Sequence, residues 1–135
     1  MMAIVTVGNE EVLDSISLAF SICLPNCQLE TISSGEDCLK AVMDRCPDIV
    51  VLDKDLDDGD GYDVLRQIKA HSQVPVIFLS GNNDEPEVVK VLELGADGYI
   101  TKPIRQFELM AYVRSLLRKR GFENTDTPKA KEGTT

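Results

Sequence analysis

Short apolar runs alternate along this chain with longer stretches in which apolar residues recur every three or four positions. Ala3-Ile4-Val5-Thr6-Val7, Pro47-Asp48-Ile49-Val50-Val51-Leu52-Asp53 and Val74-Pro75-Val76-Ile77-Phe78-Leu79-Ser80 are rich in β-branched residues, as strands buried on both faces are. Gln28-Leu29-Glu30-Thr31-Ile32 alternates as a short strand does, and Tyr99-Ile100-Thr101 is a brief fifth run. Between them the periodicity predicts helices. The first follows an Asn9 cap with Val12, Leu13, Ile16, Ala19, Phe20 and Cys23 inward, and the second opens at Ser34-Gly35-Glu36-Asp37 with Leu39, Val42, Met43 and Cys46 inward. A third carries Tyr62, Val64, Leu65 and Ile68 and closes near His71-Ser72. A fourth has Pro86 in its first turn, Val88, Val89, Val91 and Leu92 inward and Gly95 as its stop. The last runs from about Gln106 to Arg120 with Phe107, Met110, Val113, Leu116 and Leu117 inward.

Strand and helix in regular alternation require right-handed crossovers. The expected fold class is therefore α/β, a five-stranded parallel sheet with helices on both faces. The 135 residues suit one domain, read as residues 1–121; residues 122–135, poor in apolar side chains, read as a disordered tail or the start of a linker to an output domain lying outside this chain.

Composition removes several function classes. A net charge of -9 argues against nucleic-acid binding by this domain itself, because phosphate neutralisation needs a basic face. No apolar run approaches a membrane span and no signal-peptide pattern opens the chain, so a cytoplasmic location with no membrane contact is expected. Cys23, Cys27, Cys38 and Cys46 form no CxxC pair and read as reduced, partly buried thiols; His71 reads as a surface residue.

The chemistry gathers at strand ends. Asp53, Ser80 and Lys102 each close a β-rich run, and in an open α/β sheet those ends border one crevice. A carboxylate, a hydroxyl and an ammonium converging there suit attack of the carboxylate on a phosphoryl group, the other two stabilising its oxygens. Asp53-Lys54-Asp55-Leu56-Asp57 starts like an EF-hand loop, but Asp58 stands where glycine is required and Val64 where glutamate belongs.

Three pieces carry a family resemblance: Pro47 to Asp53 with Asp60-Gly61 following, Val74 to Ser80, and Gly95-Ala96-Asp97-Gly98-Tyr99-Ile100-Thr101-Lys102-Pro103. In that order and spacing the chain closely resembles the receiver domains of two-component response regulators, the CheY-like superfamily, from about Ile4 to Arg120, and is most similar to the OmpR/PhoB subfamily. The resemblance implies strand order 2-1-3-4-5 and a phosphoacceptor signalling domain rather than an enzyme. It implies Asp53 as the phosphoacceptor, Ser80 and Tyr99 as switch residues, Lys102 as the phosphoryl contact and a cis bond before Pro103. The implied partner is a sensor histidine kinase, with transcription regulated through a DNA-binding domain elsewhere. Homodimerisation is implied through the fourth helix, fifth strand and fifth helix, where Lys90, Glu93, Asp97, Glu108 and Arg114 stand, although Val88 and Tyr112 occupy positions where that pattern has basic residues.

Two departures matter: Lys54 follows the phosphoacceptor where the family usually has an apolar residue, and the acidic pair after the first strand is missing. Receivers hold Mg²⁺ with an acidic pair after the first strand, the phosphoacceptor and a backbone carbonyl; here Gly8 and Asn9 stand in place of the pair. Asn9 and the Asp55 backbone carbonyl remain as donors, with Glu10, Asp55 or Asp57 able to add a carboxylate through water, so a weakened Mg²⁺ site is expected. Unscreened, a phosphoryl group beside these acids meets roughly 4 kcal/mol of repulsion per unit-charge pair at 4 Å and an effective dielectric near 20. Asp57, Asp58, Asp60 and Asp63 otherwise read as a solvated acidic loop. The alternatives are a degenerate, phosphorylation-independent receiver acting as a constitutive interaction module, and a small aspartyl-phosphate phosphatase like the haloacid dehalogenases.

Overall fold

The computed structural model describes residues 1–122, so most of the expected tail lies outside the described residues. Five parallel strands, β1 (Met2–Thr6), β2 (Gln28–Ile32), β3 (Ile49–Asp53), β4 (Val76–Ser80) and β5 (Gly98–Thr101), form one sheet in the order β2-β1-β3-β4-β5. Five helices connect or follow them: α1 (Glu10–Cys23), α2 (Gly35–Arg45), α3 (Gly61–His71), α4 (Glu85–Glu93) and α5 (Gln106–Lys119). This is the α/β arrangement expected from the alternation.

Strand alternation divides the core in two. Ala3, Val5, Ile49, Val51, Ile77, Leu79 and Ile100 face one way and pack under α1 and α5, against Ile16, Phe20, Leu109, Met110, Val113 and Leu117. Ile4, Val50, Leu52, Val76 and Phe78 face the other way and are covered from α2, α3 and α4 by Cys38, Val42, Leu65, Ile68 and Val91. Buried on both faces, β3 and β4 have no room for a polar side chain until their last residues, Asp53 and Ser80. The register sets Thr6 beside Leu52, Asp53 beside Leu79 and Ser80 beside Thr101, which brings the strand ends level.

Several side chains depart from the expected helix faces. In α2 the buried residues are Gly35, Cys38, Ala41 and Val42, with Leu39 partly buried against the same core, so the apolar stripe is rotated about the helix axis relative to the expected one, and Met43 and Cys46 are exposed. Cys46 caps that helix in a left-handed conformation (φ 47°). Burial pushes the Cys38 thiol up to about 11, with the neighbouring Thr6 hydroxyl pulling weakly the other way. Phe107, in the first turn of α5, projects into solvent at 84% exposure, and Leu109 takes an inward position instead. On α4 only Val91 is buried; Val89 and Leu92 are largely exposed. No described helix is long and apolar enough to cross a membrane.

Candidate functional site

Asp53 ends β3 with its residue only 1% exposed, so its charge requires partners that replace water. Its Oδ1 accepts hydrogen bonds from the Asp55 backbone N–H at 2.9 Å and from Lys102 Nζ at 2.8 Å. The same ammonium lies 2.7 Å from Oδ2, which is buried and accepts no aligned hydrogen bond. Lys102 is placed by the end of β5: its N–H donates to the Ser80 carbonyl at 2.8 Å, and the following peptide to Pro103 is cis. The Lys54 N–H donates to the Leu79 carbonyl at 2.9 Å, joining the end of β3 to β4.

Gly61 lets α3 begin against this loop. Its N–H donates to the Lys54 carbonyl at 2.7 Å, and a Cβ there would stand 2.3 Å from the Asp53 carbonyl oxygen, closer than any real carbon approaches. The loop itself forms a small hairpin pairing Asp55 with Asp60 and Leu56 with Gly59, where the sequence suggested only an acidic loop.

Two of its aspartates have structural partners that the solvated reading missed. Asp58 accepts from the Gly35 and Glu36 N–H groups at 2.7 and 3.1 Å, clamping the hairpin onto the start of α2; those two bonds hold its carboxyl below the usual range. Asp60 caps α3 by accepting from the Tyr62 N–H at 2.8 Å. Asp63 pairs with Arg66 on the exposed side of α3. The Asp60 cap was legible as an Asp ahead of a helix; the Asp58 partners lie more than twenty residues upstream, beyond any local pattern.

Ser80 is fully buried, and its Oγ accepts from the Asn82 N–H at 3.1 Å. Tyr99 donates its hydroxyl proton to the Asn82 carbonyl; burial pushes its phenol up, the nearby Ser80 hydroxyl working the other way. The ring belongs to a row in which Tyr62 stacks on Phe78 at 5.5 Å and Phe78 meets Tyr99 at 6.3 Å between centroids. Lys90 sits with Nζ 4.3 Å from the Tyr62 centroid, linking α4 to the same row.

At the end of β1, Asn9 accepts from the Val12 N–H at 3.0 Å and caps α1. Gly8 leaves a gap: a Cβ built there would meet Asp57 Oδ1 at 3.0 Å and the Asp55 carbonyl oxygen at 3.3 Å. Among the described residues no three Asp, Glu, His or Cys side chains form a ready metal cluster. The oxygens around the gap, together with the Asp53 carboxylate, are nonetheless hard donors of the kind Mg²⁺ takes, and the residues present fit that ion.

The expected dimer residues are not equivalent. Asp97 Oδ2 accepts from the Val76 N–H at 2.8 Å and Lys69 Nζ at 2.9 Å, so it ties β4 to α3 within the chain. Lys90 is drawn toward Tyr62, whereas Glu93 and Glu108 are exposed and Arg114 half-buried.

Comparison with known proteins gives one answer. Residues 8–114 match the family model described as response regulator receiver domain. The transcriptional regulatory protein AfsQ1 of Streptomyces coelicolor is 40% identical over 111 residues, 82% of this chain and 49% of that protein. The DNA-binding response regulator MtrA of Mycobacterium leprae is 43% identical over 97 residues, 72% of this chain and 41% of its own. The chain thus spans about half the length of the curated relatives it matches. The crystal structure of a two-component response regulator from Clostridium difficile superposes with a TM-score of 0.83 at 19% identity, covering 90% of this chain and 99% of that one, a likeness of fold.

Proposed function

The chain belongs to the response regulator receiver family, and from that premise we propose that it receives a phosphoryl group on Asp53 from a sensor histidine kinase. The observation that carries the proposal is the buried Asp53 carboxylate, held by the Lys102 ammonium at 2.7 to 2.8 Å. In the step, a carboxylate oxygen of Asp53 forms a bond to phosphorus as the bond to the kinase imidazole nitrogen breaks. The electron pair returns to that nitrogen. Lys102, already beside the reacting carboxylate, stabilises the charge on the transferred oxygens without moving far.

Mg²⁺ bound at the crevice would screen the phosphoryl oxygens from the surrounding carboxylates. The Asp53 carboxylate at the end of β3 and the Asp55 carbonyl in the hairpin after it would hold the ion, and with Gly8 and Asn9 in place of the acidic pair they would hold it less tightly. Asn9 contributes little as a ligand, because its side-chain oxygen is engaged in capping α1.

Ser80 reads the change. Its hydroxyl lies at the end of the neighbouring strand and accepts from the Asn82 N–H, while Tyr99 donates to the Asn82 carbonyl, so a pull on Ser80 toward a phosphoryl oxygen acts on the residue that holds the Tyr99 hydroxyl. Tyr99 lies on β5 and packs on the sheet face that α4 helps cover, and the output surface is accordingly α4, β5 and α5. The relatives named as transcriptional regulators support an output in transcription, through a DNA-binding domain beyond this one, and a cytoplasmic location. A homodimer through the same surface would rest on Glu93, Glu108 and Arg114, since Asp97 and Lys90 have partners within the chain. The domain relays a signal and turns over no substrate.

Incubation with acetyl phosphate and millimolar Mg²⁺, followed by intact-mass measurement, tests the proposal. The wild-type chain gains one phosphoryl group and Asp53→Asn gains none. A wild-type protein that stays unmodified supports the second reading, a constitutive interaction module, which the missing acidic pair at Gly8 and Asn9 specifically favours.

A further inference from the structure

Building on the receiver reading, we infer that Asp57 supplies the carboxylate that Gly8 and Asn9 lack, so the divalent-cation site is completed from the loop after β3. A receiver acid at position 8 would have to extend from a Cβ, and the place of that Cβ is bordered by Asp57 Oδ1 at 3.0 Å and by the Asp55 carbonyl oxygen at 3.3 Å. The carboxylate therefore borders the ground an acidic residue there would enter. A side chain at position 8 and the Asp57 carboxylate would compete for that space.

The carboxylate is held there by more than its own side chain. The Asp57 N–H donates to the Ser33 carbonyl at 3.2 Å, beside the end of β2. Asp58 next to it is clamped to Gly35 and Glu36, and the hairpin ladder fixes Asp55 and Leu56 on the other side. A ligand on a loop tied at both sides has little freedom left to lose when a cation binds.

The competing oxygens are worse placed. Asn9 Oδ1 is committed to the Val12 N–H, Glu10 is exposed at the start of α1, and the Asp55 carboxylate is 77% exposed and 4.0 Å from the Lys102 ammonium. The independent sign that the crevice is built for a cation is Asp53 itself. It is 1% exposed, and its Oδ2 has the Lys102 ammonium alongside but accepts no aligned hydrogen bond. Two carboxylates, one backbone carbonyl and waters make a donor set that Mg²⁺ or Mn²⁺ takes.

The test uses the unphosphorylated chain, with Mg²⁺ affinity from calorimetry and Mn²⁺ affinity from electron paramagnetic resonance. Asp57→Asn is expected to weaken both by about tenfold or more, while Glu10→Gln leaves both unchanged. Gly8→Asp added to Asp57→Ala returns the carboxylate to β1 and recovers the affinity lost in Asp57→Ala alone. Melting in EDTA confirms that each variant is folded. An Asp57→Asn protein that holds Mn²⁺ as tightly as wild type, or a wild type that binds neither ion, overturns the inference. Phosphoryl uptake is read separately by mass, so a chain that binds Mn²⁺ through Asp57 yet never gains a phosphoryl group sinks the function and leaves this site standing.

Discussion

The two sides of the crevice are built to different standards. On the side of β3, β4 and β5, Asp53, Lys102 and Ser80 are locked to one another and to the backbone by a dense set of bonds between 2.7 and 3.1 Å. On the side of β1, Gly8 offers no side chain and Asn9 turns its own toward α1. Groups that must hold a reacting carboxylate in a low-dielectric pocket tolerate little slack, whereas a cation's remaining ligands can come from any direction that presents oxygen. The difference teaches that the phosphoacceptor and the metal ligands of this pocket are separable parts.

Single-methyl substitutions at two glycines give the sharpest contrast. Gly61→Ala forces a carbon against the Asp53 carbonyl and Lys54 Cα, backbone atoms that cannot swing aside. At this first position of α3 alanine gains less than the ~1 kcal/mol of a helix interior, the overlap dominates, and a net loss of about 3 kcal/mol is expected in urea unfolding. A loss under about 1 kcal/mol would show that the β3 side has slack after all.

Asp58→Ala is the next largest effect. It removes the acceptor for two N–H groups at the start of α2 and loosens the hairpin, lowering stability at neutral pH by less than Gly61→Ala does. The Asp58 carboxyl titrates below its ordinary 3.8 in the folded chain, so its contribution is complete above that pH and is lost as the pH falls through the folded value. Wild type and Asp58→Ala should therefore differ at pH 7 and converge in acid; a gap that persists under acid conditions would assign the effect to something other than the charge.

Gly8→Ala is the smallest. The nearest atom to the new carbon is a carboxylate oxygen at 3.0 Å, with the Asp55 carbonyl oxygen at 3.3 Å behind it, so stability should fall by about 1 kcal/mol in the same urea assay, well short of the loss in Gly61→Ala. A loss as large as that of Gly61→Ala would erase the contrast between the two sides.

Much of this was readable in the chain before any coordinates. Strands covered on both faces write themselves as apolar runs, so β3 and β4 stand out with Asp53 and Ser80 at their ends, and the brief run of β5 leads directly into Lys102. Helix faces were read less well. Leu39, Val42, Met43 and Cys46 share one side of an isolated helix, but the sheet beneath selects the stripe through Cys38, Ala41 and Val42. Phe107 has helical spacing to Met110, yet it lies in the first turn of α5 and stays in solvent. The nearness of Asp57 to Gly8 and the clamp from Asp58 to Gly35 join residues far apart in sequence, and no periodicity encodes a contact of that kind.

The thin burial of α4 carries a consequence of its own. With Val91 as its one fully enclosed residue, this helix gives up less apolar contact on shifting than α5, which seats Leu109, Met110, Val113, Leu116 and Leu117. α4 is thus the more weakly seated of the two, so a small electrostatic tug at the strand ends meets a yielding wall at α4 and a firmer one at α5.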